Sequence, residues 1–280
     1  MHNRICIVTG ANAGIGKATA LGLAKMGATV VMVCRSRERG EVAMAEIKRK
    51  SGNRSVFLLL ADLSSQASIR QLTASFKTQY LALHVLVNNA GVVPPKRTVT
   101  VDGFETQFAV NHLAYFLLTN LLLDILKANA SARIVNIASE VHHGVSIPFN
   151  DLQSEKSYSP RKVYAQTKLA NVLFTYELAR RLAGTGVTAN CLHPGVIVTN
   201  LLSDYMGLPR TLRSVTTAIA AGPEKGAQVC LYLATSPELE GVSGKYFVDS
   251  ATARSSPESY DAGVARRLWE VSAKLTGLNE

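Results

Sequence analysis

Short apolar runs rich in β-branched residues alternate along this chain with longer stretches whose apolar positions recur every three or four residues. The short runs lie at 5–9, 29–34, 55–60, 85–88, 133–138, 187–192 and 245–248. Helical patterns fill the intervals at 15–27, 37–50, 65–79, 103–129, 161–183 and 224–235. Most of the short runs are continuously apolar rather than alternating, which predicts strands covered on both faces, as in a parallel sheet. The rhythm is unbroken by any Pro/Gly/Ser linker or repeat. It predicts one doubly wound α/β domain over 1–280, with a seven-stranded, mostly parallel sheet flanked by helices on both faces.

The first strand runs into Thr9-Gly10-Ala11-Asn12-Ala13-Gly14-Ile15-Gly16, and an Ala/Leu-rich helix follows. Gly10, Gly14 and Gly16 permit a tight turn, close backbone approach to a pyrophosphate, and close helix–sheet packing. The helix N-terminus then offers free N–H groups and a partial positive charge to phosphates. Glycines also close turns for no chemical reason, so the strand–turn–helix context is what gives this string its meaning as a dinucleotide site. At the end of the second strand, NAD sites place Asp or Glu to hold the ribose 2′-hydroxyl. Here Cys34 stands at that place and Arg35 follows. A carboxylate would repel a 2′-phosphate that a guanidinium can grip, so the expected cofactor is NADP(H). The competing reading leaves Arg35 on a solvated rim.

Bulk properties narrow the remaining choices. With 280 residues, 47% hydrophobic and 18% charged, the chain can bury a substantial core. Its net charge of +10 suits an anionic cofactor, an anionic membrane surface, or plain solubility. Basic residues are scattered apart from Arg35, Arg37 and Arg39 and the cluster at 48–50, and no basic stripe carries interleaved aromatics. A nucleic-acid partner is therefore not expected. There is no uncharged apolar run of about 18 residues, so no transmembrane segment is expected. The sequence enters its first strand almost at once, without a signal-peptide pattern, and the expected location is cytoplasmic. Cys6, Cys34, Cys191 and Cys230 form no close pair and read as buried, reduced thiols. No metal is expected: His142 and His143 have no carboxylate or cysteine at ligand spacing and suit a surface or hinge segment. His193 either lines a pocket or packs.

Further strings resolve the picture. Asn88-Asn89-Ala90-Gly91 closes the fourth strand, Asn111 interrupts an apolar helix within VNHLAYFLLT, and Ser139 closes IVNIAS. Tyr164-Ala-Gln-Thr-Lys168 lies on a helix, and Pro194-Gly195 follows the sixth strand. In this order they resemble the short-chain dehydrogenase/reductase family, whose signatures are TGxxxGxG, NNAG, an Asn–Ser–YxxxK tetrad and a post-strand Pro-Gly. The resemblance covers residues 4 to about 250 and implies a Rossmann-like fold. ANAGIGKATA, VCRSRERG, DGFETQFAVNHLAYFLLTNLLLDIL, KLANVLFTYELARRLAGTGVT and SGKYF are most similar to the retinol dehydrogenase-like branch. The N-terminal hydrophobic anchor of many members is not in this sequence. Substrate preference in that branch is broad.

Tyr164 and Lys168 are four residues apart and share a helix face. An unperturbed phenol is a poor proton exchanger at neutral pH, and a nearby ammonium is expected to lower its pKa. A shift of about three units corresponds to roughly 4 kcal/mol. Ser139, at a strand's C-terminal end, can hold a substrate oxygen as negative charge develops there. The resemblance implies that Asn111 holds a water near Lys168, and that Tyr164 and Lys168 also touch the cofactor. It further implies that Asn12, Ala13 and Ile15 line the phosphate turn and that Asp62 and Leu63 flank the adenine. Asn89, Ala90 and Gly91 would line the passage to the nicotinamide, with Pro194, Gly195, Ile197 and Thr199 beside it.

Residues 196–222 form an unusually apolar connection, expected either to close as a substrate lid over a lipophilic carbonyl or to pack as an ordinary helix. Shallow membrane contact beside Arg210 and Arg213 is a third reading. The expected activity is NADP(H)-dependent interconversion of aldehydes or ketones and alcohols, with a small-molecule carbonyl or alcohol as partner. A reductase of small polar carbonyls and a non-catalytic NADP(H)-binding regulator are the alternatives. The resemblance also suggests homo-oligomer pairing through the helices at 103–129 and 161–183.

Overall fold

The computed structural model describes residues 1–197, 201, 204–205 and 221–278. Among these, one eight-stranded sheet runs in the order β3-β2-β1-β4-β5-β6-β7-β8. Its strands are β1 (Ile5–Thr9), β2 (Thr29–Cys34), β3 (Val56–Leu60), β4 (Val85–Asn88), β5 (Arg133–Ile137), β6 (Thr188–His193), β7 (Tyr246–Val248) and β8 (Ala251–Ala253). All neighbours pair in parallel except β7 and β8. The seven expected strands are present. The eighth arises because Asp249 and Ser250 both take positive φ (47° and 64°) and turn the chain back in a tight hairpin. Its exposed Ala-Thr-Ala carries no strand pattern that could have announced it.

Continuously apolar strands serve two cores because successive side chains leave opposite faces. In register, Val31, Ile7, Leu86, Ile134 and Ala189 form a row on one face. There they meet Phe76, Phe116, Phe174 and Leu178. One residue along, Met32, Val8, Val87 and Val135 point the other way and join Leu23, Ile47, Cys230 and Leu233.

The helices are α1 (Gly14–Lys25), α2 (Arg37–Ser51), α3 (Gln66–Gln79), α4 (Thr106–Phe108), α5 (Ala114–Leu121), α6 (Leu123–Ala128), α7 (Pro160–Arg181), α8 (Pro223–Thr235) and α9 (Ala262–Thr276). The single helix expected at 103–129 is subdivided. Glu105 accepts hydrogen bonds from the Gln107 and Phe108 amides and so sets a late start. A π-helical turn at Ala109–Leu113 follows, and Leu122 breaks the run again at φ −105°. The last helix, α9, is absent from the expected set, although Ala265, Leu268, Trp269 and Ala273 follow a helical spacing and are buried. It packs on α7 and α5, the helices expected to pair between protomers, and occupies part of their outer face with the chain's own residues.

Candidate active site

Strand order reverses direction between β1 and β4, and at the C-terminal ends of the strands there opens a cleft of about 930 Å³. Gly10 and Gly14 turn the chain with φ of +66° and +53°. Gly16 lies beneath the turn: a Cβ there would stand 2.4 Å from Asn89 Nδ2 and 2.6 Å from the Gly10 carbonyl. Ala13 caps α1 without a side-chain bond and the first turn holds no acid, so the helix start presents its N–H groups uncompensated. Gly10, Asn12, Ala13, Gly14 and Ile15 line the cleft; Gly16 supports them from behind.

The next wall is held by Thr9, whose role the sequence did not suggest. Its hydroxyl accepts from the Asn89 and Ala90 amides (2.9 and 3.0 Å), and the Asn89 side chain donates to the Thr9 carbonyl at 2.7 Å. Beneath this, Asn88 donates to Asn136 and Thr119, and Asn136 donates to Thr175 on α7. This buried amide ladder ties β4, β5 and α7 together below Asn89, Ala90 and Gly91, all of which line the cleft. Asp62 and Leu63 lie at the side, Asp62 accepting from the Ser64 amide and hydroxyl.

At the outer end, beyond Cys34, the exposed Arg35 and Arg39 both face the cleft, and no acid pairs with either among the described residues. Arg39 was recognisable only as one of a basic trio, since its arrival here depends on α2 turning back from β2. All four cysteines are free and buried, and burial pushes Cys6, Cys191 and Cys230 up to about 12 and Cys34 up to about 11.

At the inner end, Ser139 follows β5, while Tyr164 and Lys168 come from α7; all three line the cleft. The Lys168 Nζ lies 5.3 Å from the Tyr164 ring centre and donates to the Ile137 carbonyl at 2.9 Å. Burial pushes the Tyr164 phenol above its ordinary value, with Tyr205 adding to the rise, and pushes the Lys168 amine down to about 7. The lowering of the phenol expected from Lys168 is therefore not produced by the protein groups alone, because desolvation drives both groups toward neutrality.

Asn111 stands behind the wall rather than in it. Its Oδ1 accepts from the Val92 amide at 2.8 Å, and its Nδ2 donates to the Val92 carbonyl and Thr167 Oγ1 at 3.0 and 3.2 Å. It clamps the segment that leaves Gly91 onto α7 and makes no direct bond to Lys168 among the described residues. Pro194, Gly195 and Ile197 line the cleft; Thr199 lies outside the described residues. Most of the 196–222 connection does too, though its ends meet in a parallel bridge between Ile197 and Ala221. Leu201 and Tyr205 line the cleft, and the Tyr205 ring sits 5.5 Å from that of Tyr164. His193 also lines it, its Nδ1 accepting from the Glu140 amide at 3.3 Å. No cluster of three metal-ligating side chains occurs among the described residues, and none of their helices is long and apolar enough to cross a membrane.

A Gly-rich turn at the sheet's switch point, with a tyrosine, a lysine and a serine at the far end of the same cleft, defines a nicotinamide-dependent oxidoreductase. Residues 4–206 match the short chain dehydrogenase family, and the chain belongs to it. Within that family it is retinol dehydrogenase-like. It is 47% identical to human retinol dehydrogenase 13, across 97% of this chain and 84% of that protein. It is 43% identical to human retinol dehydrogenase 14, across 99% of this chain and 88% of that protein. Among solved structures, an uncharacterised protein from Mycobacterium paratuberculosis superposes with a TM-score of 0.81 at 34% identity, covering 99% of this chain and 94% of that one. The protein is an oxidoreductase acting on alcohol and carbonyl groups.

Proposed function

We propose that the protein uses NADP(H) to interconvert lipophilic aldehydes or ketones, of retinoid or lipid-aldehyde type, with their alcohols. The observation that carries this reading is the polarity of one cleft: Arg35 and Arg39 stand at its outer end with no acid paired to either among the described residues, and Tyr164, Lys168 and Ser139 converge at its inner end. The residues fit a dinucleotide, since Gly10, Asn12, Ala13, Gly14 and Ile15 line the cleft and no side chain caps the start of α1 there. The two guanidiniums would hold a 2′-phosphate, and the α1 N-terminus the pyrophosphate. The bound nicotinamide supplies or accepts the hydride, and its oxidised form adds a positive charge beside the phenol.

Tyr164 gives a proton to the carbonyl oxygen during reduction and takes it back from the alcohol during oxidation. Ser139 donates a hydrogen bond to the same oxygen as charge develops. Lys168 is placed by the Ile137 carbonyl to contact the ribose and assist the phenol. Val92, Val110, Val141, Leu201 and Tyr205 make the substrate end largely apolar, which favours a lipophilic carbonyl over a small polar one.

NADPH oxidation across a chain-length series of aldehydes tests the reading. Turnover should rise with chain length and fall about 10²–10⁴-fold in Tyr164→Phe. Preference for short polar aldehydes would overturn the substrate class. Tight NADPH binding with no turnover at all would identify a regulator instead.

A further inference from the structure

A buried histidine outside the cleft connects its inner end to the C-terminal segment. His142 is fully buried, three residues beyond Ser139. The Ser256 amide donates to its Nε2 at 2.9 Å, across 114 residues of sequence. With Nε2 an acceptor, Nδ1 carries the proton and donates to the Ser139 carbonyl at 2.6 Å. Burial holds the His142 pKa down at about 4, so the ring stays neutral and this pattern persists at neutral pH.

His112, next to Asn111 in the π-helical turn, is a second buried histidine reached from the C-terminal segment, through one ring nitrogen only. Its Nε2 lies 2.9 Å from Ser272 Oγ on α9, 160 residues away in sequence. Its Nδ1 has no hydrogen-bond partner among the described residues. The Asn171 side chain donates to the Ile137 carbonyl at 3.3 Å, the same oxygen that holds Lys168 Nζ at 2.9 Å. Neither histidine lines the cleft.

We infer that residues 255–276 act as a strap that fixes Ser139 in register through His142, making His142 a positioning residue for the reaction. The inference rests on the role proposed above for Ser139. Apolar packing alone would not fix register: Trp269 sits among Phe116 and Phe174 with ring centres 4.9 and 5.8 Å apart, yet such burial is non-directional. Hydrogen bonds weaken steeply with misalignment, so the chain Ser256–His142–Ser139 supplies the missing direction. The Tyr176 hydroxyl and Ser255 Oγ, 2.7 Å apart, anchor the start of the strap on α7.

The test uses side chains that keep one half of the His142 bridge. Asparagine places an amide N–H near the Nδ1 position and keeps the Ser139 bond; glutamine reaches the Nε2 position and keeps the Ser256 bond. His142→Asn, His142→Gln and wild type are compared for kcat with NADPH and nonanal, NADPH affinity, Tm, and amide hydrogen exchange over 137–143. Both variants should bind NADPH within about twofold of wild type. Each variant severs the bridge at one end, so both should lose about tenfold in kcat and exchange faster over 137–143. Wild-type kcat and wild-type exchange in His142→Asn, which releases Ser256 alone, would overturn the strap, whatever its Tm. If the His142 variants do not fold, Ser256→Pro decides, since it removes the donating amide at a φ of −61° that proline adopts: a severalfold loss of kcat at unchanged NADPH affinity supports the proposal, and wild-type kcat overturns it. If wild type reduces no aldehyde, the functional reading fails, and the exchange comparison still decides the strap.

Discussion

The amino group of Lys168 lies 5.3 Å from the centre of the Tyr164 ring, and burial drives both groups toward their uncharged forms. For Lys168 this has a consequence for stability. Its folded pKa of about 7 lies below the ordinary 10.5, so between these values the unfolded chain binds a proton that the folded chain does not. Stability then rises with pH across that window, by at most about 1.4 kcal/mol per unit. Urea melts at pH 7, 8 and 9 should show wild type gaining on Lys168→Met as pH increases. A difference independent of pH would mean that the folded lysine keeps its charge.

Arg35 should discriminate between dinucleotides. A hydrogen bond to a charged group contributes about 1.5–3 kcal/mol, so Arg35→Ala should weaken NADPH binding about ten- to hundredfold and leave NADH nearly unchanged. Fluorescence titration with both dinucleotides measures this directly. Equal losses for the two would place Arg35 on a solvated rim.

Gly16→Ala probes the packing under the phosphate turn. Its Cβ would meet the Asn89 amide and the Gly10 carbonyl at 2.4 and 2.6 Å, and the fitted backbone has little room to give. A stability loss of about 1–3 kcal/mol is expected, together with weakened NADPH binding. Gly52→Ala is the contrast: nothing lies within 4 Å of the new Cβ and φ is +71°, so only backbone strain of roughly 1–2 kcal/mol should appear, with binding intact.

Trp269 anchors α9 against Phe116 and Phe174, and the Arg181 guanidinium lies 4.3 Å from its ring centre. Trp269→Ala should cost about 3–5 kcal/mol in a denaturant titration. A loss below about 1 kcal/mol would show that α9 contributes little to the fold.

The strands were legible because a doubly covered sheet demands continuous apolar runs, and the phosphate turn because only glycine fits those backbone positions. The joint order of Gly10, Asn111, Ser139, Tyr164 and Lys168 was legible for the same local reason: each sits in a recognisable string. Arg39 and Thr9 were not, since nothing in their own neighbourhoods marks them as facing the cleft. His142 was read as a surface or hinge residue; it is buried because Ser256 comes to it from 114 residues away.

By itself, then, the sequence determined the alternation of elements, the position of the glycine turn and the residues expected to do chemistry, all properties of short stretches. Tertiary structure decided that Asn111 clamps Val92, that Tyr164 and Lys168 are pushed toward neutrality, and that α9 lies on α5 and α7. Desolvation and hydrogen-bond partnership depend on groups brought in from distant parts of the chain, and no local pattern records which groups those will be.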